Sequence, residues 1–180
     1  MKEFTHRLAR IDDLDALREL MHRAIEQLQS GFLDPAGVRA SHRVMGLDTQ
    51  LIRDGTYFLA LDGETIVGSG GWSCRATLYG GDSSIVARTP AMLDPASDAA
   101  RIRAMYTNPD YVRRGVGRLV LALCEAAARA NGFRRTEMMA TMAGEPLYRA
   151  SGYLAIERIM SRPIGGVRIP LIRMGKELPQ

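Results

Sequence analysis

The residues best suited to chemistry stand in one short stretch, VRRGVGR, which ends at Arg118. Two arginines, Arg113 and Arg114, come directly before Gly115 and Gly117, and a long apolar segment follows. If that segment is a helix, its first turn carries unpaired amide groups and a partial positive charge. Glycine there lets a ligand approach the backbone closely. The stretch is a candidate pyrophosphate site. Solvent-exposed arginines beside a tight glycine turn would explain the same sequence.

A dinucleotide-binding fingerprint is a second interpretation of these glycines, and the surrounding residues do not favour it. Val120 stands where that fingerprint has its third glycine. The acidic residue about twenty positions further on, Glu137, begins a predicted strand rather than ending it, so it could not reach a ribose. The stretch also comes late in the chain, after a predicted helix pair and hairpin.

The pattern of apolar residues predicts the elements that must position this turn. In the first half it predicts a weak strand, a helix that begins at Asp12, a second helical region broken near Gly46, and a hairpin that turns at Asp62-Gly63. In the second half it predicts a strand, the helix after the glycine step, a strand, a short helix and two strands, over residues 100–107, 115–130, 134–141, 145–151, 153–160 and 167–174. Pro170 predicts an edge or bulge position for the last strand. Residues 75–100 form a long connection, which is usually functional or mobile.

Composition is that of an ordinary globular chain. The 180 residues are 46% hydrophobic and 24% charged, with a net charge of +4 and a pI near 9.4. The basic residues are scattered and no aromatic residues alternate with them, which argues against nucleic acid as a partner. No stretch resembles a signal peptide or a membrane span, and Cys74 and Cys124 fit no disulfide or metal pattern. We therefore expect one domain over residues 1–180, in the cytoplasm, with neither a membrane partner nor a metal.

Taken in order, two longer stretches resemble a known family. RAMYTNPDYVRRGVGRLVLALCEAAARANGF and the later GEPLYRASGY are similar to the acyl-CoA-binding core of the GCN5-related N-acetyltransferase (GNAT) superfamily. The leading helix pair and the hairpin also match the layout of that family, so the resemblance covers nearly the whole chain. It implies an α/β fold of mixed α+β type: a central, mostly antiparallel twisted sheet of about seven strands, with a splayed parallel pair and about four flanking helices.

The resemblance also implies which residues bind acetyl-CoA and which assist the reaction. The strand that ends at Thr107 would pair with the pantetheine arm, and the amides from Arg113 to Arg118 would hold the pyrophosphate. The implied cofactor-binding residues are Met105, Tyr106, Thr107, Arg113, Arg114, Gly115, Val116, Gly117, Arg118 and Thr141. Tyr148 stands where the family often has a tyrosine that hydrogen-bonds the thiolate leaving group. Two positions depart from the family pattern: Val112 replaces a common Gln or Arg, and Thr141 replaces a common Asn.

The function implied is acetyl-CoA-dependent transfer of an acetyl group to the primary amine of a small molecule, by direct attack on the thioester. A non-catalytic acyl-CoA sensor and acetylation of protein amines are the alternatives, and a homodimer is expected, paired through the last strand. Four residues around the long connection are candidates for acceptor binding: Trp72, Arg75, Tyr79 and Asp82. The strand over residues 100–107 carries no carboxylate, and the three histidines, His6, His22 and His42, all lie in the N-terminal part. The sequence therefore names no general base.

Overall fold

A computed structural model of the chain describes residues 3–179, and over that range it has seven strands and five α-helices. In chain order these are β1 Thr5–Leu8, α1 Leu14–Leu28, α2 Pro35–Val44, α3 Thr49–Arg53, β2 Tyr57–Asp62, β3 Thr65–Ser73, β4 Ala100–Thr107, α4 Val116–Ala130, β5 Arg135–Thr141, α5 Glu145–Ala150, β6 Leu154–Met160 and β7 Pro170–Glu177. The predicted helical region around Gly46 is two helices, α2 and α3, because each has its own N-cap. The side chains of Asp34 and Asp48 accept amide hydrogen bonds there.

All seven strands form one sheet, in the order β1-β2-β3-β4-β5-β7-β6. Every neighbouring pair is antiparallel except β4 and β5, which are parallel. The predicted fold class, a mostly antiparallel sheet with one parallel pair and flanking helices, is confirmed.

The parallel pair separates soon after it forms. β4 pairs with β5 only at Ala100–Thr136 and Arg101–Glu137. At the second of these positions Arg101 Nη1 lies 2.7 Å from Glu137 Oε2, and Arg173 on β7 contacts the same oxygen at 2.6 Å. Glu137 thus forms ion pairs with two arginines at the end where β4 and β5 are still paired. Beyond it the two strands continue without pairing to each other, each held only by its outer neighbour.

A β-bulge on β4 follows the point of separation. Ser69 lies opposite Tyr106 and Gly71 opposite Arg103, so β4 has one residue more than β3 over this interval. The extra residue falls at Ala104, whose φ of 51° is in the left-handed region. Tyr57 holds the bulge, since its buried hydroxyl donates a 3.0 Å hydrogen bond to the Ala104 carbonyl oxygen.

Glycines on β3 bring α4 close to the sheet. A Cβ at Gly68 would lie 2.3 Å from Val116 Cγ1, and one at Gly70 would lie 2.7 Å from Val120 Cγ1. No side chain fits at either position, so α4 packs directly on the strand backbone. Both valines are buried in the main hydrophobic core. The first turn of α4 is therefore fixed beside the open end of the parallel pair.

The edge of the sheet differs from the expectation. β7 lies between β5 and β6, so the last strand is internal and the two edges of the sheet are β1 and β6. Pro170 is the first residue of β7, a position where a strand tolerates proline. A homodimer paired through an edge would use β1 or β6, and on β6 Leu154 and Ile156 are 72% and 54% exposed. The hairpin turn also differs by one residue: Asp62 pairs with Thr65, so Gly63 and Glu64 form the turn.

The long connection after β3 has little regular structure, but it packs against the α2–α3 region. The Asp82 amide donates to the Leu47 carbonyl oxygen at 2.8 Å, and the Ile85 amide donates to the Arg43 carbonyl oxygen at 3.0 Å. These hydrogen bonds hold the connection against α2 and the residues between α2 and α3. Among the described residues, no helix is long and apolar enough to cross a bilayer.

Candidate functional site

A cleft opens where β4 and β5 separate. Its walls come from the end of α2, the long connection, β4, β5 and α5. Side chains around it include Met45, Tyr79, Arg103, Met105, Met138 and Tyr148. Neither a carboxylate nor a histidine lines the cleft within residues 3–179. The cleft wall itself therefore contains no obvious general base.

The predicted pantetheine-binding residues lie at the end of β4. Met105 and Tyr106 line the cleft, and Thr107 ends the strand. The side chain of Tyr106 is buried and engaged elsewhere: its hydroxyl donates to the Gly46 carbonyl oxygen and accepts from the Gly46 amide, both at 3.0 Å. The backbone of this segment faces the gap to β5 without a β5 partner, as pairing with an extended ligand would require.

The turn before α4 leaves a row of amides without protein acceptors. Arg113 and Gly115 have φ values of 60° and 89°, and this left-handed backbone leads into the helix. The amide of Leu119 is the first in the turn to bond within the helix, to Gly115 at 2.9 Å. Over the described residues, no acceptor bonds the amides from Arg113 to Arg118. The exposed arginines of this turn add positive charge around those amides.

Two residues of this turn have structural partners. Arg114 lies over the ring of Tyr111, 5.0 Å from its centroid. A Cβ at Gly117 would lie 2.8 Å from Leu147 Cδ2, so a side chain at this position would force the Leu147 side chain on α5 to shift. The glycine that the sequence assigned to ligand approach thus also serves helix packing.

Tyr148 lies in α5 with its side chain in the cleft wall. The residue is 7% exposed, and its ring packs edge-on against Tyr153 with 6.1 Å between centroids. No described protein group hydrogen-bonds its hydroxyl. Burial raises the pKa of Tyr148 above its ordinary value, and Cys124 adds to the effect. Because the charged form is disfavoured, the hydroxyl keeps its proton beyond the ordinary titration range and remains a donor.

Thr141 and Gln29 meet at the end of β5. The Thr141 hydroxyl accepts from Gln29 Nε2 at 3.1 Å and from the Gly144 amide at 3.2 Å. It therefore ties the end of α1 to the turn before α5, and it also lines the cleft. Sequence reasoning missed Gln29, because the two partners are 112 positions apart and nothing in the local pattern marks either.

Of the four acceptor-binding candidates, only Tyr79 lines the cleft. Trp72 is 5% exposed and packs edge-on against Phe133 in the core, with 6.0 Å between centroids. β3 is a central strand covered by α4, and this burial leaves Trp72 no contact with the cleft. The structure therefore gives Trp72 a packing position.

Arg75 and Asp82 are held by other protein groups. Arg75 forms a bidentate pair with Asp54, at 2.8 and 2.9 Å. Asp82 accepts from the Thr49 amide at 3.2 Å and pairs with Arg88. Neither residue lines the cleft, and both fasten the long connection to the α3 region.

A buried ion pair that sequence reasoning did not identify stands behind the cleft wall. Arg103 Nη1 lies 2.6 Å from Asp48 Oδ2, and the two side chains are 3% and 1% exposed. Arg103 also donates to the Gly80 carbonyl oxygen at 2.6 Å, and Arg88 contacts the second Asp48 oxygen at 2.8 Å. Burial lowers the pKa of Arg103 from its ordinary value, and Asp48 opposes that effect. The pair joins β4, the start of α3 and the long connection.

Comparisons with known proteins agree on one family. A profile of the acetyltransferase (GNAT) family matches residues 23–153. A GCN5-related N-acetyltransferase from Rhodopseudomonas palustris is 19% identical, with a TM-score of 0.70 over 99% of this chain and 98% of that one. A search of curated proteins finds no significant match.

Two further solved structures have named activities. A phosphinothricin acetyltransferase from Sinorhizobium meliloti, solved with acetyl-CoA, is 17% identical with a TM-score of 0.65, covering 98% of this chain and 89% of that one. A ribosomal-protein-S18-alanine N-acetyltransferase from Escherichia coli is 16% identical with a TM-score of 0.60, covering 99% and 96%. Likeness at these identities shows a shared fold.

Asp48 and Asp82 both contact Arg88, but only Asp48 also pairs with the buried Arg103. We therefore predict that their removal has very different effects on the free energy of unfolding. Asp48→Ala leaves the buried Arg103 guanidinium without its counter-ion, and we expect the free energy of unfolding to fall by about 3–5 kcal/mol. Asp82→Ala removes an exposed carboxylate from Arg88 and is expected to cost less than about 1 kcal/mol. Urea denaturation of both variants measures the difference. Equal losses would show that the Asp48–Arg103 pair does not hold the wall.

Proposed function

The chain belongs to the acetyltransferase (GNAT) family, and on that premise we propose that it transfers the acetyl group of acetyl-CoA to the primary amine of a small molecule. One observation carries the proposal: over the described residues, the turn between β4 and α4 has unpaired amides, and the cleft between the separated strands has a protonated tyrosine in its wall. The first supplies sites for an extended, anionic cofactor, and the second supplies a proton donor for a thiolate.

Several features of the chain fit acetyl-CoA. The turn from Arg113 to Arg118 offers consecutive amides, a helix N-terminus and three exposed arginines, which suit a pyrophosphate. The unpaired edge of β4 from Met105 to Thr107 suits the amide groups of a pantetheine arm. Val112, which departs from the family pattern, is exposed and leaves the amides untouched. Bound acetyl-CoA would supply an activated thioester to the cleft.

Tyr148 is the proposed proton donor. In acetyl transfer the amine nitrogen bonds to the carbonyl carbon, the carbon–sulfur bond breaks, and the sulfur accepts a proton. Burial raises the pKa of Tyr148, and the same dry surroundings also make a thiolate more basic. Both shifts run in the same direction, which favours proton transfer, and no group among residues 3–179 hydrogen-bonds the Tyr148 hydroxyl, which leaves it available to donate to the sulfur.

The acceptor would enter between the end of α2 and the long connection. Met45, Leu78 and Tyr79 line that side, which favours an amine carrying an apolar or aromatic group. No cleft carboxylate stabilises a cationic amine, so amines that are already partly neutral at working pH are favoured. The connection packs over α2 and α3, and this supports a small acceptor over an extended peptide. Protein amines and a non-catalytic sensor remain the alternatives.

Three expectations from the sequence stay predictions. They are a single domain over residues 1–180, a cytoplasmic location and a homodimer. For the dimer, the mass of the particle in solution is the deciding measurement, and β1 and β6 are the edges available for pairing.

The proposed function predicts release of free CoA thiol when the chain is mixed with acetyl-CoA and a panel of primary amines. With an active amine, Tyr79→Ala should raise the KM of the acceptor about tenfold or more, because an apolar pocket contact is worth this much. The acetyl-CoA affinity should not change. Ser83→Ala, an exposed position on the same connection, is the matched control. Tight acetyl-CoA binding without thiol release across the panel would favour the sensor.

The proposed cofactor site predicts that charge reversal at the two ends of α4 has different effects on the acetyl-CoA affinity. Arg118→Glu places a negative charge beside the unpaired amides, and we expect the acetyl-CoA affinity to fall at least about tenfold. Arg129→Glu makes the same change in the last turn of the helix and should leave the affinity unchanged. Titration calorimetry measures both. Normal affinity in the Arg118 variant would contradict binding of the phosphates at this turn.

The proton-donor role predicts that Tyr148→Phe lowers kcat by about 100-fold or more, with little change in acetyl-CoA affinity. Tyr153→Phe is the control, since its hydroxyl bonds Thr136 at 2.8 Å in the core. The pKa of Tyr148 lies above its ordinary value, so deprotonation of this residue should not lower the wild-type kcat as pH approaches about 10. Wild-type kcat in the Phe variant over the whole pH range would remove Tyr148 from this role.

A further inference from the structure

Three potential metal ligands meet on the outer side of the α1–α2 pair. His22 and Glu26 stand four residues apart on α1, and therefore on one face of that helix. His42 lies on α2, which packs against α1. One ligand atom from each of the three lies within 4.8 Å of the others. None of them lines the cleft, and the acetyl-transfer proposal uses none of them.

The spacing of these atoms is close to that of a metal site. A tetrahedral zinc ion with bonds near 2.0–2.1 Å holds its ligand atoms about 3.3 Å apart. His42 Nε2 already lies 2.6 Å from Glu26 Oε1. The ring centroids of His22 and His42 are 5.2 Å apart at an interplanar angle of 31°, and one ring nitrogen of each histidine belongs to the group of ligand atoms that lie within 4.8 Å of one another. Changes of up to about 1.5 Å in the distances between these atoms would bring the set to metal-binding distance.

We propose that His22, Glu26 and His42 bind a Zn²⁺ ion, with solvent completing the coordination. Two imidazoles and one carboxylate are a donor set that zinc takes in proteins. All three side chains are partly exposed, so an ion can enter without unfolding. The ion would replace the hydrogen bond between His42 and Glu26, so His42 is required in its neutral form.

Binding there would link α1 to α2, whose end lines the cleft. α2 ends at Val44 and continues into Met45 and Gly46, all of which line the cleft. α1 ends just before Gln29, whose side chain bonds Thr141. A bound ion would therefore stabilise the helix pair and leave the chemistry of transfer to the cleft residues.

Calorimetric titration of the metal-free full chain with ZnCl₂ tests the site. We expect one ion per chain. The zinc affinity should fall at least about tenfold in each of the single variants His22→Ala and His42→Ala, because each variant loses one of three protein ligands. His6→Ala is the matched control, since this exposed histidine lies on β1 outside the cluster, and it should bind as the wild type does. Cys74→Ser should also bind normally, which separates the cluster from the partly exposed thiol.

A second readout checks that lost binding is not lost folding. Zinc should raise the Tm of the wild-type chain and of His6→Ala, since a ligand that binds only the folded state stabilises it. It should not raise the Tm of His22→Ala or Glu26→Gln, although both should melt normally without metal. The proposal fails if the wild-type chain takes up no zinc, if uptake survives both histidine substitutions, or if His6→Ala loses it equally. None of these outcomes bears on acetyl transfer, which the thiol-release assay measures separately.

Discussion

The separation of β4 from β5 is the constraint on which the rest of the structure depends. Two parallel strands can part only if each is held on its other side, because unpaired strand backbone is costly when buried. Here β3 holds β4 and β7 holds β5. The Arg101–Glu137 ion pair, shared with Arg173, lies at the last paired position and sets where the opening begins. Without that fixed point the gap would have no defined depth.

A series of packing contacts links the gap between β4 and β5 to the position of α4. The bulge at Ala104 follows the last β4–β5 pair at Arg101, and Tyr57 on β2 holds the bulge through its hydrogen bond to the Ala104 carbonyl oxygen. Gly68 and Gly70 then admit Val116 and Val120 against the sheet, which positions the first turn of α4. The unpaired amides of that turn are therefore a result of sheet geometry as much as of the sequence around them.

How much the sequence predicted depends on the range of the interaction. Elements with clear apolar periodicity, such as α4 and the β2–β3 hairpin, were predicted because their signal is local. The turn before α4 could be recognised as a candidate anion site for the same reason. Arg103 and Asp48 are 55 residues apart, and no local pattern joins them. The edge of the sheet was misassigned because chain order does not give strand order, and β7 inserts between β5 and β6. Trp72 was offered as an acceptor contact because composition cannot show which face of a strand a helix covers.

The two walls of the cleft are built by different physical means, and this difference separates their roles. The side proposed for the cofactor consists of sheet backbone and a helix terminus, whose geometry follows from the fold. The side proposed for the acceptor depends on the connection after β3, which has little regular structure and is held by charges centred on Asp48. Side chains of that connection can change without disturbing the strand pair, provided that the buried ion pair persists. Side chains on the side proposed for the acceptor can therefore change while the geometry of the side proposed for the cofactor is kept.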